Sequence, residues 1–549
     1  MAEQPDAPAL PPEASPAEQD GKKKKKPKGK EKVRSVWISF TGRIFAQILG
    51  AAATIILGLL IARQYQVNAR KDSATPTADA QRISRASRPR RPGETALVVL
   101  PLENLSGDPQ QEYFADGMSD ALITDLSRID GLRVISKTSS MYYKGQRKPL
   151  PEIAQELGVD LVVEGSVMKS GERVRITVQL IDAKTDEHLW ANKYDRSLRD
   201  VLSIQAEVAT AIAQEVKVVV TPKEARRRTE SRAVDPAVYD LYLLGRHSWS
   251  LRTVDGFQDA IRLFKEALAK DPDFALAHAG LADTYSFLGT AGYSTPAVPG
   301  GMLQAKAAAK RALALDDSLA EGHTSLGRVL YYYDWDWPGA ESSYRRALAL
   351  NPGYATAHQW YATLLSEQRR DQEATVKAQR AVALDPLSPT MHMTLASVHY
   401  NGRRFDLAVA SGRRALELDP NVLAPRLILA GCFMAQGNDR AAIEVCQKAP
   451  SPPHPLILAT LSAAYHRAGE KERAGALRRQ LLSRPGVSTA ALVRLHAGWA
   501  EPDLLFTALG RAVAERSEII PRLGVSPLFD AVRSDSRFPA LLKRLQLHN

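Results

Sequence analysis

Apolar residues divide the chain into segments that differ in their hydrophobic pattern. Residues 44–62 form an apolar run without a charge. At a rise of about 1.5 Å per residue, a helix of this length crosses a hydrocarbon core of about 30 Å. The run therefore predicts one transmembrane helix. A secretory signal peptide is the rival interpretation, but the run begins far from the N-terminus, and Arg63 and Gln64 follow it where a small-residue cleavage site is expected.

A second pattern, beginning at residue 94, alternates strand-like and helix-like segments. The apolar run Ala96–Leu100 is typical of a strand covered on both faces. Apolar and polar residues alternate over 174–178, which indicates a strand with one buried face and one solvent-exposed face. The full order predicts strands near 96–100, 132–136, 161–163, 174–178 and 188–194, and helices near 113–129, 151–157 and 200–219. One mixed sheet with packed helices, over residues 94–235, is the simplest fold with this order.

A repeating period of 34 positions fills most of the remaining sequence. Asn351-Pro352, Asp385-Pro386 and Asp419-Pro420 mark it, and each closes a helix-like run. Pairs of alanines at a constant spacing recur in register, as close packing of helices requires. The matched pairs are Ala260/Ala267, Ala305/Ala312, Ala340/Ala347, Ala374/Ala381 and Ala408/Ala415. This pattern resembles the tetratricopeptide repeat and predicts an all-α solenoid over residues 236–486, with a helical cap at 487–549.

The repeat register also predicts a binding groove. The resemblance implies a protein or peptide partner held by groove positions of the first helix in each repeat. These positions are Gln359, Thr363, Glu367, Met393, Ser397 and Tyr400. The alternative is that these residues form only a solvated face.

The α/β segment carries motifs of a known family. Val99–Gly117, Gly131–Val134, Glu164–Val167 and Leu189-Trp190 together resemble the TolB-like α/β domain, with Leu102 where phenylalanine is expected. The family occurs beside tetratricopeptide repeats in bacterial proteins, often downstream of a class III nucleotide cyclase or a winged-helix regulator. The resemblance implies no catalytic residue. The segment before the apolar run, residues 1–43, is too short for either of those modules.

The charge of the chain is concentrated near its N-terminus. The formal net charge is +12 over 549 residues, and most of it precedes Glu94. Residues 1–43 therefore read as a disordered basic tail and 63–93 as a flexible linker, without the basic surface that specific nucleic-acid binding requires. Residues 24–43 hold eight Lys and Arg, against four in 63–82. The positive-inside rule then predicts a single-pass inner-membrane protein with a cytoplasmic N-terminus and a periplasmic or otherwise extracytoplasmic bulk. A cytoplasmic bulk is the alternative.

Small residues recur every fourth position of the apolar run, which would let a second helix approach closely. They are Ala46, Gly50, Thr54, Gly58 and Ala62. This spacing raises the hypothesis of a homodimer, in addition to contact with the lipid bilayer. Chance spacing in an Ala- and Gly-rich helix is the alternative.

Each candidate catalytic or metal-binding motif in the sequence is either incomplete or better explained by a structural role. Gly131–Thr138 approaches a phosphate-binding loop, but Ser136 replaces the second glycine and strand-forming residues fill the loop. Four polar residues, Asn104, Asp108, Asp116 and Asp120, are better explained as caps than as an acid–base pair or a magnesium site.

Four histidines recur in the repeat register: His278, His323, His358 and His392. Equivalent residues of successive repeats lie too far apart to share one zinc ion. Cys432 and Cys446 are predicted to be core residues, and a disulfide between them is left open. We therefore expect no catalytic residue, cofactor or metal.

Taken together, the sequence predicts a multidomain protein with one transmembrane helix, a small mixed-sheet TolB-like domain and an all-α tetratricopeptide solenoid. The function we expect is a membrane-anchored protein-interaction scaffold in envelope assembly or signalling, and not an enzyme. The alternative is a sensor in which the α/β domain binds a small molecule or nucleotide and signals to a separately encoded adenylate cyclase or regulator.

Overall fold

The structure, a computed structural model, describes residues 93–218, 234–289 and 300–547. The chain divides into two units, Met1–Ile83 and Ser84–Asn549, and all described residues belong to the second. This unit contains a mixed sheet with helices packed on it, followed by a long series of antiparallel helices.

The predicted membrane segment requires a correction. No helix among the described residues is long and apolar enough to cross a membrane. The run at 44–62, with its stripe of small residues from Ala46 to Ala62, lies outside the described residues. The fold class is therefore corrected to a mixed-sheet region and an all-helical solenoid. The prediction of a single-pass inner-membrane location is likewise wrong on this finding.

The α/β region is built on six strands. They are β1 (Thr95–Val99), β2 (Glu103–Asn104), β3 (Leu132–Val134), β4 (Leu161–Ser170), β5 (Arg173–Asp182) and β6 (His188–Ser197). The order across the sheet is β3-β1-β4-β5-β6, and β2 pairs with β4. β1 runs parallel to β3 and β4, whereas β5 is antiparallel to both β4 and β6. The sheet is therefore mixed, as the sequence predicts.

Helices cover both faces of β1. They are α1 (Glu112–Ser127), α2 (Lys137–Met141), α3 (Leu150–Leu157) and α4 (Val201–Glu215). Leu97 and Val99 share a core cluster with α1 and α4, whereas Ala96 and Val98 share one with α3. Successive side chains of a strand point to opposite faces, so an unbroken apolar run is what a strand buried on both sides requires.

The helical region begins at Pro236. Its helices are α5 (Pro236–Ser250), α6 (Val254–Lys270), α7 (Ala275–Leu288), α8 (Gly301–Leu315), α9 (Ala320–Val329), α10 (Trp337–Leu350), α11 (Ala355–Glu367), α12 (Asp371–Leu384), α13 (Pro389–Asn401), α14 (Phe405–Leu418), α15 (Leu423–Ala435), α16 (Asp439–Gln447), α17 (Pro455–Arg467), α18 (Lys471–Leu482), α19 (Thr489–Gly498), α20 (Pro502–Ala514) and α21 (Arg537–Arg544). The alanine pairs of the repeat register, such as Ala374 and Ala381 of α12, are fully buried. Their small side chains let paired helices approach closely.

A glycine joins the α/β region to the first repeat. A Cβ at Gly117 of α1 would lie 2.7 Å from a methyl carbon of Leu243 on α5. Nearby, the side-chain amide of Gln205 donates to the hydroxyl of Tyr239 at 2.6 Å. One core cluster accordingly runs from the sheet through α1 and α4 into α5. The two regions therefore share a hydrophobic core.

Turns between repeats hold the far side of the α/β region. Ser127, at the end of α1, accepts hydrogen bonds from the side-chain amide of Asn351 at 2.9 Å and from the backbone N–H of Gly353 at 3.1 Å. One repeat later, Asp385 accepts from the backbone N–H of Ser139 at 3.0 Å and from its hydroxyl at 2.6 Å. Asn351 and Asp385 occupy the same position of successive repeats, so equivalent turn residues bind successive parts of the α/β region.

A buried ion pair completes this contact. Arg380 of α12 donates to both carboxylate oxygens of Glu94, at 2.8 and 2.5 Å, and the two side chains are 8% and 4% exposed. Arg133 on β3 is also buried and donates to the carbonyl of Ala383 at 2.8 Å. Removing one member of such a pair leaves the other charge buried and uncompensated.

We predict that Arg380→Met destabilises the folded chain by about 3–5 kcal/mol, because Glu94 then lies buried without its counter-charge. Arg414→Met is the matched control, since Arg414 and Glu417 form an exposed pair, and it should cost less than about 0.5 kcal/mol. Urea unfolding monitored by circular dichroism measures both variants. Equal midpoints for the two would contradict a structural role for the buried pair.

Candidate functional site

The six predicted groove residues lie on the first helices of two successive repeats, α11 and α13. We call this set the groove face: Gln359, Thr363, Glu367, Met393, Ser397 and Tyr400. Gln359 and Glu367 are buried, and the other four are half-buried. Thr363 donates its hydroxyl hydrogen to the carbonyl of Gln359 at 3.2 Å. The repeat places Thr363 and Ser397 at equivalent positions of the two helices.

Glu367 contacts the C-terminal part of the chain. Its carboxylate lies 3.3 Å from the Nε atom of Arg522, and the side chain is only 4% exposed. Burial raises the pKa of Glu367 to about 7, although Arg522 favours the charged form and opposes this shift. The carboxyl group therefore titrates near neutral pH.

Tyr400 lies near the C-terminal end of α13, at the same end of the groove face as Glu367 on α11. Burial raises the pKa of its phenol to about 12, although the nearby side chain of Ser526 in the cap favours the charged form and opposes this shift. A Cβ at Gly431, in the next repeat, would lie 2.7 Å from the Tyr400 hydroxyl oxygen. The glycine therefore provides the space that the tyrosine ring occupies. The C-terminal cap, residues 487–547, thus reaches two of the six groove-face residues.

A row of left-handed turn residues runs beside the groove face. Trp335, Arg369, Arg403 and Gly437 occupy the same position of successive repeats, with φ of 58°, 60°, 59° and 75°. We call this set the turn ladder. The preceding π-helical turn, Leu330–Asp334, absorbs one extra residue in its repeat and keeps Trp335 in register. Left-handed backbone costs a residue other than glycine about 1–2 kcal/mol.

The two arginines of the turn ladder bind the cap. Arg369 donates to the carbonyl of Gly524 at 3.1 Å. Arg403 donates to the carbonyl of Val525 at 3.3 Å and to the carboxylate of Asp530 at 2.7 Å. Equivalent residues of successive repeats therefore hold successive backbone carbonyls.

Trp335 extends the contact to a third repeat. Its ring packs against the apolar core of the cap, and the guanidinium of Arg516 lies 5.2 Å from the ring centroid. Arg516 also donates to the carbonyl of Tyr333. Sequence reasoning missed the turn ladder. The sequence did carry one signal. At the turn position where the last of these repeats has Gly437, the preceding repeats have Trp or Arg, although glycine adopts a left-handed turn more readily.

The histidines found in the repeat register have a structural role. The Nε2–H of each of the four donates to the backbone carbonyl six residues earlier, at 3.0–3.1 Å. The pairs are His278–Pro272, His323–Asp317, His358–Pro352 and His392–Pro386. Arg426 takes the equivalent position one repeat later and donates to Pro420 at 2.5 Å. These side chains therefore secure the turns between repeats.

The remaining sequence candidates have structural roles, and the side-chain amide of Asn104 donates to the backbone carbonyl of Asp108 at 2.8 Å. Leu132–Val134 is a strand, so Gly131–Thr138 does not form a phosphate-binding loop. Asp108 caps a short 3-10 helix by accepting from the N–H of Gln110 at 2.9 Å. Asp120 pairs with Lys137 and Arg246. Although burial alone would raise its pKa, these two cations hold the pKa of Asp120 below its usual value.

Neither a metal site nor a disulfide is found in the described part of the chain. Within 93–218, 234–289 and 300–547, no group of three or more His, Cys, Asp or Glu side chains could hold a metal ion. Cys432 and Cys446 are both buried free thiols, and burial raises the pKa of each to about 12. They behave as small core residues.

A cavity of about 800 Å³ lies between the α/β region and the first repeats. α1, α4 and α5 form part of its wall, and α7, the turns after α6 and α8, and residues of α9 and α10 also line it. Eight carboxylates and three arginines line it, together with the aromatic residues Tyr239, Tyr242 and Phe274. The excess of carboxylates favours a neutral or cationic occupant and opposes a phosphate group.

Comparisons with known proteins identify the repeats. A tetratricopeptide-repeat model matches residues 246–285, 330–389, 374–422 and 393–455. The solenoid is therefore built of tetratricopeptide repeats, a class of fold that binds proteins and peptides. Residues 94–211 match a family described as the HilA/YgeH-like transcriptional regulator, second domain.

Among individual proteins, a Rhizobium meliloti (strain 1021) protein described as putative adenylate cyclase 3 is 38% identical over 242 residues. The match covers 44% of this chain and 41% of that protein, so the chain spans about two-fifths of its relative. A tetratricopeptide protein of Thermus thermophilus is 23% identical with a TM-score of 0.31, covering 36% of this chain and 100% of that one. One from Parabacteroides merdae ATCC 43184 is 14% identical with a TM-score of 0.35, covering 50% and 100%.

We predict a pH-dependent contribution of Glu367 to stability. Its pKa is near 7 in the folded chain and near the ordinary value of 4.5 when unfolded. Its contribution is therefore fully present below about pH 4.5 and is lost as the pH rises through 7. Relative to Glu367→Gln, the wild-type chain should lose about 1–3 kcal/mol of unfolding free energy between pH 5 and pH 8.

Urea unfolding at the two pH values measures this difference. Glu373→Gln is the control, because Glu373 is exposed and its pKa is lowered by Arg370. The control should not reproduce the loss toward pH 8. A wild-type stability that stays constant or rises relative to Glu367→Gln would contradict the assignment.

Proposed function

We propose that the chain is a scaffold that binds a protein or peptide partner on the groove face and takes part in a signalling assembly. The observation that carries this proposal is the alignment of half-buried side chains on α11 and α13. Thr363 and Ser397 offer hydroxyl groups, and Met393 offers a flexible apolar surface that adapts to a partner. Tetratricopeptide repeats supply binding surfaces and contribute no transition-state machinery, so we propose no catalytic role.

Two comparisons support the regulatory part of the proposal. Residues 94–211 are similar to a domain of transcriptional regulators, and part of the chain is similar to a putative adenylate cyclase. Both relatives are named for regulatory or signalling activities. The partner we propose is therefore a component of a regulatory system, and the α/β region would be positioned by its contacts with the repeats.

A second candidate is a sensor in which the α/β region binds a small molecule. The cavity between α1, α4 and the first repeats is the observation that favours it. Its carboxylates would repel a nucleotide, because burial strengthens the repulsion between like charges. Isothermal titration of the full chain with cyclic AMP and with ATP should therefore give no measurable binding at micromolar ligand. Tight, saturable binding of either would favour the sensor over the scaffold and contradict the electrostatic argument.

We predict that a partner crosslinks to the groove face and not to the second helices. A photo-crosslinking amino acid placed at Thr363 or Ser397 of the full chain should give one discrete product in cells, because both positions face the proposed ligand. Val376, which is 61% exposed on α12, is the matched control position. Products of equal yield from Val376, or products from Val376 alone, would rule out the groove face as the binding surface.

A further inference from the structure

The turn ladder and the C-terminal cap form a contact beside the two groove-face residues that the cap reaches, Glu367 and Tyr400. We propose that Trp335, Arg369 and Arg403 act as a clasp for the cap, and that the closed clasp limits access of the partner to Glu367 and Tyr400. This inference rests on the proposed function, because it describes the regulation of the same binding surface.

The cap has its own hydrophobic core. Leu523, Phe529 and Phe538 are fully buried and share a cluster with apolar residues of α19, α20 and α21. Among the described residues, Trp335 is the one hydrophobic side chain from the earlier repeats that packs on this cluster. The cap could therefore move as a unit while its own core stays buried.

The clasp itself consists largely of charge-assisted polar contacts. The guanidinium groups of Arg369 and Arg403 bind the carbonyls of Gly524 and Val525, and Asp530 pairs with Arg403. Arg403 and Asp530 are 40% and 46% exposed. Water can replace the partners of exposed polar groups, so these contacts open at lower cost than an apolar interface.

The backbone of the turn ladder supports a role for its side chains. A glycine makes this turn without steric cost, as Gly437 does. Arg369 and Arg403 adopt the same left-handed conformation, which is unfavourable for an arginine. Unlike a glycine, the arginine side chains at these two positions bind backbone carbonyls of the cap.

The last repeat provides the attachment about which the cap could swing. The indole N–H of Trp499 donates to the hydroxyl of Ser462 at 3.1 Å, and Arg478 pairs with Glu501 at 2.6 Å. These contacts join the end of α19 to α17 and α18, and they do not involve the turn ladder. Breaking the clasp should therefore leave the cap attached at this end.

The test is a distance measurement on the full chain. Spin labels are placed on cysteines introduced at Val376 of α12 and Leu504 of α20, two exposed positions, while the buried Cys432 and Cys446 stay unlabelled. The wild-type background should give one narrow distance distribution. The double substitution Arg369→Gly and Arg403→Gly should broaden or lengthen it, because it removes the clasp while relieving the left-handed backbone.

Two further variants make the outcome specific. Asp186→Gly relieves a left-handed residue in the turn between β5 and β6, at φ 60°, away from both the clasp and the attachment of the cap, and should leave the distribution unchanged. Arg522→Gln breaks the contact with Glu367 from the cap side and should shift the distribution in the same direction as the double variant. If the double glycine variant and Arg522→Gln both give the wild-type distance distribution, the proposal is overturned.

The regulatory part has its own readout. With the photo-crosslinking residue at Ser397, the yield of partner product should rise at least threefold in the double glycine variant. Altered distances with an unchanged yield would refute control by the clasp. A complete lack of product in every background would instead count against the proposed scaffold, and the distance measurement would still decide whether the clasp exists.

Discussion

Close packing of helices through small residues sets the repeat register, and the long-range contacts of this chain depend on it. Alanines such as Ala374 and Ala381 are fully buried where paired helices meet. A fixed repeat aligns equivalent turn residues at regular intervals along the solenoid. Contacts between a turn and another region then recur from repeat to repeat. A larger side chain at one alanine would disturb a local packing contact and also the alignment of the turns.

Two sets of turns use this alignment for different purposes. The turns between repeats hold the α/β region through Asn351 and Asp385, and the turns within repeats hold the cap through Arg369 and Arg403. In both sets, a turn residue of the repeat also binds a distant segment of the chain. The α/β region and the cap are thereby tied to the same central repeats, α10 to α14.

Features that depend on a local pattern could be predicted from the sequence. The strand Thr95–Val99, the buried alanines and the repeat period are of this kind. The contacts of Ser127 and Ser139 with the solenoid could not be predicted, because isolated serines carry no periodic signal. The turn ladder carried a partial signal, since Trp and Arg stand where glycine fits. The predicted membrane segment and inner-membrane location rested on hydropathy and on the distribution of Lys and Arg, and they were not supported by any helix among the described residues.

The central claim is that the α/β region and the repeats form one body joined through the turns. Hydrogen exchange of the full chain tests it most directly, because two backbone amides donate across the contact, Ser136 to Leu384 at 2.7 Å and Gly353 to Ser127 at 3.1 Å. We expect peptides containing these amides to be protected as strongly as those of β1 and α11. Rapid exchange at both amides, with β1 and α11 still protected, would show that the two regions separate in solution and would contradict the account.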